Sequence, residues 1–235
     1  MIISKCGGNF LPPIDIPPKQ CYNIEYKFNE LQFNKNGGKM TARDEQKEQR
    51  RQLIIDKAIE LFAKKGYAET KIGDIAAAAD MSVGLMFHYF ESKEKLLEEI
   101  VRYGAKCTNY PKEMNFENPL DYFEGFLKML FHYAIEQPRV MYLFVIMGQL
   151  GYSESIPKSI RDIFSDINQV EQSAEIIAAG QQYGYFREGD PHSLAFAFWS
   201  SVQGIMEQLA AFPEMRSEEK IPDYRWIIDI IRGNV

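Results

Sequence analysis

Apolar residues recur at helical spacing along most of this chain, with no strand-like alternation of note. In residues 41–65, TARDEQKEQRRQLIIDKAIELFAKK, Ile55, Ala58, Ile59 and Phe62 form one apolar stripe, and Gly66 follows as a C-cap. A shorter helix is predicted from Thr70, a good N-cap, with Ile72, Ile75, Ala76 and Ala79 as its small apolar face. The alanines let another helix approach closely. Asp80 stands where the chain must turn sharply, and Asp tolerates the left-handed conformation better than most residues. Ser82 is a plausible cap for a third helix running through Phe90. In that helix Met86 and Phe90, four apart, point inward, which leaves Val83, Gly84, Phe87 and His88 on other faces.

The fourth helix extends through Leu96–Cys107. Asn118-Pro119, a cap followed by Pro at the first helical position, opens LDYFEGFLKMLFHYAIEQ, apolar nearly all round and so expected to be central. Pro138 starts another helix, which ends near Gly151. Pro157–Tyr183 reads as one long amphipathic helix, and Pro191–Phe212 and Pro222–Arg232 as two more. The chain is therefore expected to be all-α. Residues 1–39 differ: LPPIDIPPKQ and an Asn-rich tract ending NKNGGK carry no periodicity that survives the prolines, as in a disordered extension. Gly37-Gly38-Lys39 could also be encoded by a GGAGG-like ribosome-binding sequence, in which case Met40 is the true start.

Charge refines this picture. The net charge is −6, which argues against a protein that coats nucleic acid through bulk charge. Residues 41–106 carry 12 basic and 12 acidic side chains, whereas 107–235 carry 10 and 18, so the acidity lies in the C-terminal part. Cys6, Cys21 and Cys107 have no metal-binding or disulfide spacing, and a reducing cytoplasm is the default. No signal peptide is recognisable, and the longest apolar run, Val140–Met147, is far too short to cross a bilayer. The protein is expected to be soluble.

The first three helices compose a helix-turn-helix, in which one helix crosses the DNA backbone and the next enters the major groove, where all four base pairs are distinguishable. Met81–Tyr89 is the segment predicted to enter it. Arg50 and Arg51 are candidate phosphate contacts or simply solvated side chains.

The blocks AIELFAKKGYAETKIGDIA and MSVGLMFHYFESKEKLL resemble the tetracycline-repressor (TetR) family of bacterial regulators. The cluster Phe87-His88-Tyr89-Phe90 followed by Ser92-Lys93-Glu94 is the most specific part. A weaker resemblance lies at Gly184–Pro191, a G-x-h-R-x-x-D-P junction before the penultimate long helix (h, hydrophobic). The resemblance implies a homeodomain-like three-helix DNA-binding domain at 43–107 and a helical effector-binding and dimerisation bundle at 108–235. It implies phosphate contacts from Thr70, Lys71 and Lys93, a recognition helix opening with Ser82, Val83, Gly84 and Leu85, and groove contacts from Phe87, His88 and Tyr89. The chain departs from the family at Asp80, where Gly is usual, and at Val83, Leu85 and Phe87, where polar partners are usual. Val83 and Leu85 can pack on a thymine methyl but cannot hydrogen-bond a base edge.

Bulky, soft side chains in the C-terminal half could line an apolar effector cavity: Tyr122, Phe126, Met129, Tyr133, Phe144, Met147 and Trp199. By resemblance, the last two long helices pair with their copies in a homodimer. Phe198, Val202, Ile205 and Leu209 make a stripe there, Gly204 allows close approach, and Trp226, Ile227 and Ile230 support it. His132, on the apolar fifth helix, is expected to be buried and hydrogen-bonded.

The chain thus reads as a ligand-responsive regulator, with repression the family's commoner outcome, acting as a dimer on a palindromic DNA operator. No cofactor, metal or membrane partner is expected. An enzyme finds no support: Glu-x-x-His, G-x-x-x-x-G-K, G-x-G-x-x-G and G-x-S-x-G are all absent. The alternative is a helical protein-interaction or small-molecule-binding module with weakened DNA binding.

Overall fold

The computed structural model describes residues 41–109, 118–153, 156–165 and 167–234; the expected N-terminal extension and the start at Met40 fall outside these. The described residues form ten α-helices: α1 Ala42–Lys65, α2 Ile72–Ala78, α3 Val83–Phe87, α4 Lys93–Asn109, α5 Pro119–Glu136, α6 Pro138–Gly151, α7 Lys158–Ser165, α8 Gln169–Gln181, α9 Pro191–Ala211 and α10 Arg225–Ile228. A short 3₁₀ turn, Pro213–Met215, follows α9.

Local chemistry fixes the ends of these helices. Thr41 caps α1, accepting from the Asp44 N–H while the Asp44 carboxylate accepts from the Thr41 N–H and hydroxyl. Those bonds hold the Asp44 carboxyl below its ordinary range. Gly66 ends α1 with φ 84°, and its N–H donates to the Phe62 carbonyl. Asn118 caps α5 through the N–H groups of Leu120 and Asp121. Asp190 caps α9, accepting from the Ser193 N–H at 2.8 Å, with Pro191 in the first helical position.

Two cores result. The first gathers Ile54, Ile55, Ala58, Ile59 and Phe62 of α1 with Ile75 and Ala76 of α2, Met86, Phe90, and Leu96, Leu97, Ile100 and Val101 of α4. It does not stop at the expected boundary near residue 107. Leu143, Ile146 and Leu150 of α6 and Ile160 and Ile163 of α7 belong to it too. The second core joins α5, α8, α9 and the C-terminal segment around Phe123, Leu127, Ile177, Phe198, Val202 and Ile228. Val140 and Met141 on another face of α6 complete it, so α6 forms a wall of both cores. Polar ties reinforce α6 against α1: Arg139 reaches Asp56 at 3.5 Å, and Gln149 donates to the Ala63 carbonyl at 3.2 Å.

Three sequence expectations need correction here. Residues 157–183 are not one helix. The backbone leaves helical geometry at Ile167 and Asn168, and α8 starts afresh at Gln169 with Asn168 at its cap position. Residues 222–232 hold only the four-residue α10, because the chain then turns to lie antiparallel against the 185–187 segment. The Arg187 N–H donates to the Ile231 carbonyl and the Gly233 N–H to the Tyr185 carbonyl, at 3.0 and 2.8 Å. Finally, His132 is exposed and stacks obliquely against Tyr133 rather than lying buried.

Candidate nucleic-acid interface

The helix-turn-helix is built around the turn between α2 and α3. Asp80 has φ 53° and is the sole non-glycine with positive φ among the described residues. Its N–H donates to the Ala77 carbonyl at 3.2 Å, and the Met81 N–H donates to the Ala76 carbonyl at 3.0 Å. This is the paired closure of a Schellman cap, with Asp in the place Gly usually takes. Ser82 then caps α3, its hydroxyl accepting from the Leu85 N–H at 3.1 Å.

α3 is shorter than expected, ending at Phe87. His88 and Tyr89 continue as a tightened turn whose N–H groups donate to the Leu85 and Met86 carbonyls. Met86 is fully buried and Phe90 nearly so, and these two set the roll of α3. Its outer surface therefore carries Ser82, Val83, Gly84, Phe87 and His88, with Leu85 half-buried. Val83 is 41% and Phe87 49% exposed, high for apolar side chains. Tyr89 is half-buried and packs against the first core.

At the start of α2, Lys71 occupies the cap position and is exposed. The Asp74 carboxylate accepts from the Lys71 N–H at 3.3 Å, which holds that carboxyl below its ordinary range. A lysine side chain has no acceptor, so only the reciprocal half of a capping box forms here, from Asp74 back to the Lys71 N–H.

Two expected phosphate contacts are engaged elsewhere. Thr70 is fully buried, and its hydroxyl donates to the Gly66 carbonyl at 2.8 Å, with a longer contact to the Leu61 carbonyl. It closes the α1–α2 connection and offers no side-chain atom to a ligand. The Lys93 ammonium donates to the carbonyls of Tyr67 and Thr70, both at 2.8 Å, and lies 4.3 Å from the centroid of the Tyr67 ring. Burial lowers its pKa from the ordinary lysine value. In this geometry Lys93 clamps the first turn of α4 onto the α1–α2 connection. Tyr67 supplies both the ring and a carbonyl of that clamp, and nothing in its sequence position marked it. Arg51 is likewise committed: its guanidinium pairs with the Glu99 carboxylate of α4 and lies 5.1 Å from the Phe90 ring centroid.

In the C-terminal half, the residues considered for an effector site do not form one group. Phe126 and Trp199 are buried in the second core, the Trp199 indole N–H donating to the buried Ser173 hydroxyl at 2.8 Å. Tyr122, Met129, Tyr133 and Phe144 pack around that core, and burial pushes the Tyr122 phenol well above its usual range. Met147 instead faces the first core, beside Gly104 of α4.

The expected dimer stripe is also corrected. Phe198, Val202 and Leu209 are buried by the chain's own α5, α6 and α8 neighbours and cannot reach a partner. Ile205 and Ile230 are half-buried, while Trp226 is exposed. The outward face of α9 presents Phe196, 61% exposed, with Ala197, Ser200 and Gly204; α8 adds Ala178 and Ala179.

Comparison with known proteins places the first of these regions. A sequence profile of bacterial regulatory proteins of the tetR family matches residues 54–100. The chain is similar to the uncharacterized HTH-type transcriptional regulator YuxN of Bacillus subtilis, 29% identical over 119 residues that cover 49% of this chain and 40% of YuxN. It is similar to the HTH-type transcriptional repressor KstR2 of Rhodococcus jostii, 43% identical over 53 residues, 23% of this chain and 26% of KstR2. The matched stretches thus span less than half of either relative. In fold it is similar to AibR, crystallised with isovaleryl coenzyme A and operator DNA, with a TM-score of 0.55 at 20% identity over 77% of this chain and 94% of AibR.

Proposed function

Since the chain belongs, through the helix-turn-helix region at residues 54–100, to the TetR family of bacterial regulators, we propose that it is a ligand-responsive transcriptional repressor. It binds a palindromic operator as a homodimer and leaves it when a small, largely apolar molecule occupies the C-terminal half. The observation that carries this reading is the Asp80 turn. It sets α3 against α2 with Met86 and Phe90 inward and an outer surface of Ser82, Val83, Gly84, Phe87 and His88 free for a groove.

The exposed side chain of Lys71, against the buried Thr70 and the internally engaged Lys93, supports Lys71 as the chief phosphate-directed residue. The shared wall α6 supports the ligand response. A ligand that repacks Phe144 or Met141 on one side of α6 acts on Leu143 and Ile146 on the other, which bear on α1 and α4. Differential affinity for the two arrangements then shifts the population away from the DNA-competent one. The exposed α9 face of Phe196, Ala197, Ser200 and Gly204 supports pairing in a two-fold dimer, whose symmetry matches two operator half-sites. Among the described residues no helix is long and apolar enough to cross a membrane, and cytoplasmic action is part of this proposal.

A second reading is a helical interaction module that binds DNA weakly. The apolar surface of α3 and the internal engagement of Lys93 favour it. Binding of the purified protein to DNA upstream of its own gene, measured against salt, separates the two. Nanomolar-range, sequence-dependent binding with a steep salt slope is expected. Weak binding without sequence preference would instead select the interaction module.

A further inference from the structure

The surface of α3 is unusual for a surface that must meet hydrogen-bonding base edges. Val83 and Phe87 lie one helical turn apart on the same face, and both are substantially exposed. They cannot roll inward, because buried Met86 and Phe90 fix the rotation of the segment. Of the outward side chains from 82 to 88, Ser82 accepts from the Leu85 N–H and keeps its O–H to donate. That O–H and the His88 ring supply the side-chain hydrogen-bonding capacity of this face.

Gly84 sits between Val83 and His88, and its absent side chain has no internal explanation. A Cβ built there meets nothing closer than the Ser82 Oγ at 4.0 Å, and the residue lies in ordinary helical geometry. Glycine in a helix costs stability relative to alanine. With room for a methyl on the protein's own side, Gly84 leaves the helix backbone open to close approach by a partner surface.

The major groove offers one apolar feature to such a face, the 5-methyl group of thymine. We infer that α3 selects its half-site by thymine methyls, with Val83 and Phe87 each packing on one and Gly84 letting the helix axis settle close to the base edges. This rests on the regulator reading above. It gives the exposed apolar side chains of Val83 and Phe87 a positive role in choosing sequence.

The test begins with selection of bound sequences from a random duplex library by the full chain. Each thymine of the selected half-site is then replaced singly by deoxyuridine, which removes the methyl and keeps every hydrogen-bonding group. Affinity is expected to fall about fourfold at one or two positions per half-site, the ratio corresponding to burial of one methyl-sized group, and to stay unchanged elsewhere. Val83→Ala and Phe87→Ala, both at exposed positions and checked for unchanged melting, are each expected to erase the thymine–deoxyuridine difference at one position. Equal affinity for thymine and deoxyuridine throughout a selected site overturns the inference while leaving the regulator reading intact. Failure to enrich any duplex overturns both, and a protein partner then becomes the occupant of this face.

Discussion

Lys93 offers the sharpest check on the geometry of the helix-turn-helix half. Lys93→Met keeps most of the aliphatic stem and removes the ammonium. The change deletes two 2.8 Å hydrogen bonds, to the Tyr67 and Thr70 carbonyls, and the contact with the Tyr67 ring. A hydrogen bond to a charged donor is worth about 1.5–3 kcal/mol. The low end applies because the ammonium gives up water to enter the site, and because two bonds from one nitrogen are not independent. A net loss of about 2 kcal/mol is expected, roughly a thirtyfold change in the folded-to-unfolded ratio. For a chain of this size it corresponds to a fall in Tm of about 4–8 °C, read by circular dichroism. Because α4 then loosens from the α1–α2 connection, DNA affinity should fall for all sequences alike with the salt slope unchanged. The reasoning is refuted if melting is unaltered while the slope of log K against log salt shrinks by about one per protomer. That pair of results is the signature of a lost phosphate contact and would return Lys93 to the DNA backbone.

The remaining predictions use the same logic at other positions. Gly84→Ala should stabilise the free protein by up to about 1 kcal/mol, seen by urea denaturation, yet weaken binding to a selected duplex. Loss of stability, or unchanged binding, would contradict an external demand for glycine there. Gly233→Ala should be severe, since its Cβ would lie 1.9 Å from the Gly184 carbonyl oxygen. Detachment of the C-terminal segment should cost about 3 kcal/mol, visible in thermal melts. Phe196→Asp should convert a dimer to a monomer in sedimentation analysis without unfolding it; a persistent dimer places the interface elsewhere.

Much of the helix-turn-helix half was legible because its signals are local. The α1 stripe, Gly66, the left-handed Asp80 and the Ser82 cap each follow from a residue and its near neighbours. Thr70 misled because its side chain suits a cap, but the helix begins one residue later and the hydroxyl turns back to the end of α1. The stripe Phe198, Val202 and Leu209 was correctly apolar, yet periodicity does not say whether a stripe is covered by the same chain or by a copy. Phe196, two residues before Phe198, is the side chain that breaks the register and points out. The break after α7 had a visible signal in Ser165, Asp166 and Asn168, residues that favour turns and caps, which the long amphipathic pattern outweighed. The shortness of α10 was not legible, because it depends on a distant pairing with residues 185–187.

That α6 is a wall of two cores bears on how such chains can be recombined. A cut between α4 and α5 looks natural from the sequence, but it strips Leu143, Ile146 and Leu150 from the hydrophobic surface of α1 and α4. A C-terminal half exchanged there must bring an α6 whose inner face interlocks with a foreign helix-turn-helix. The inherited packing unit around the helix-turn-helix therefore reaches through α6 and α7. Chimeras joined after α7 should inherit a complete first core, whereas those joined between α4 and α5 inherit half of one.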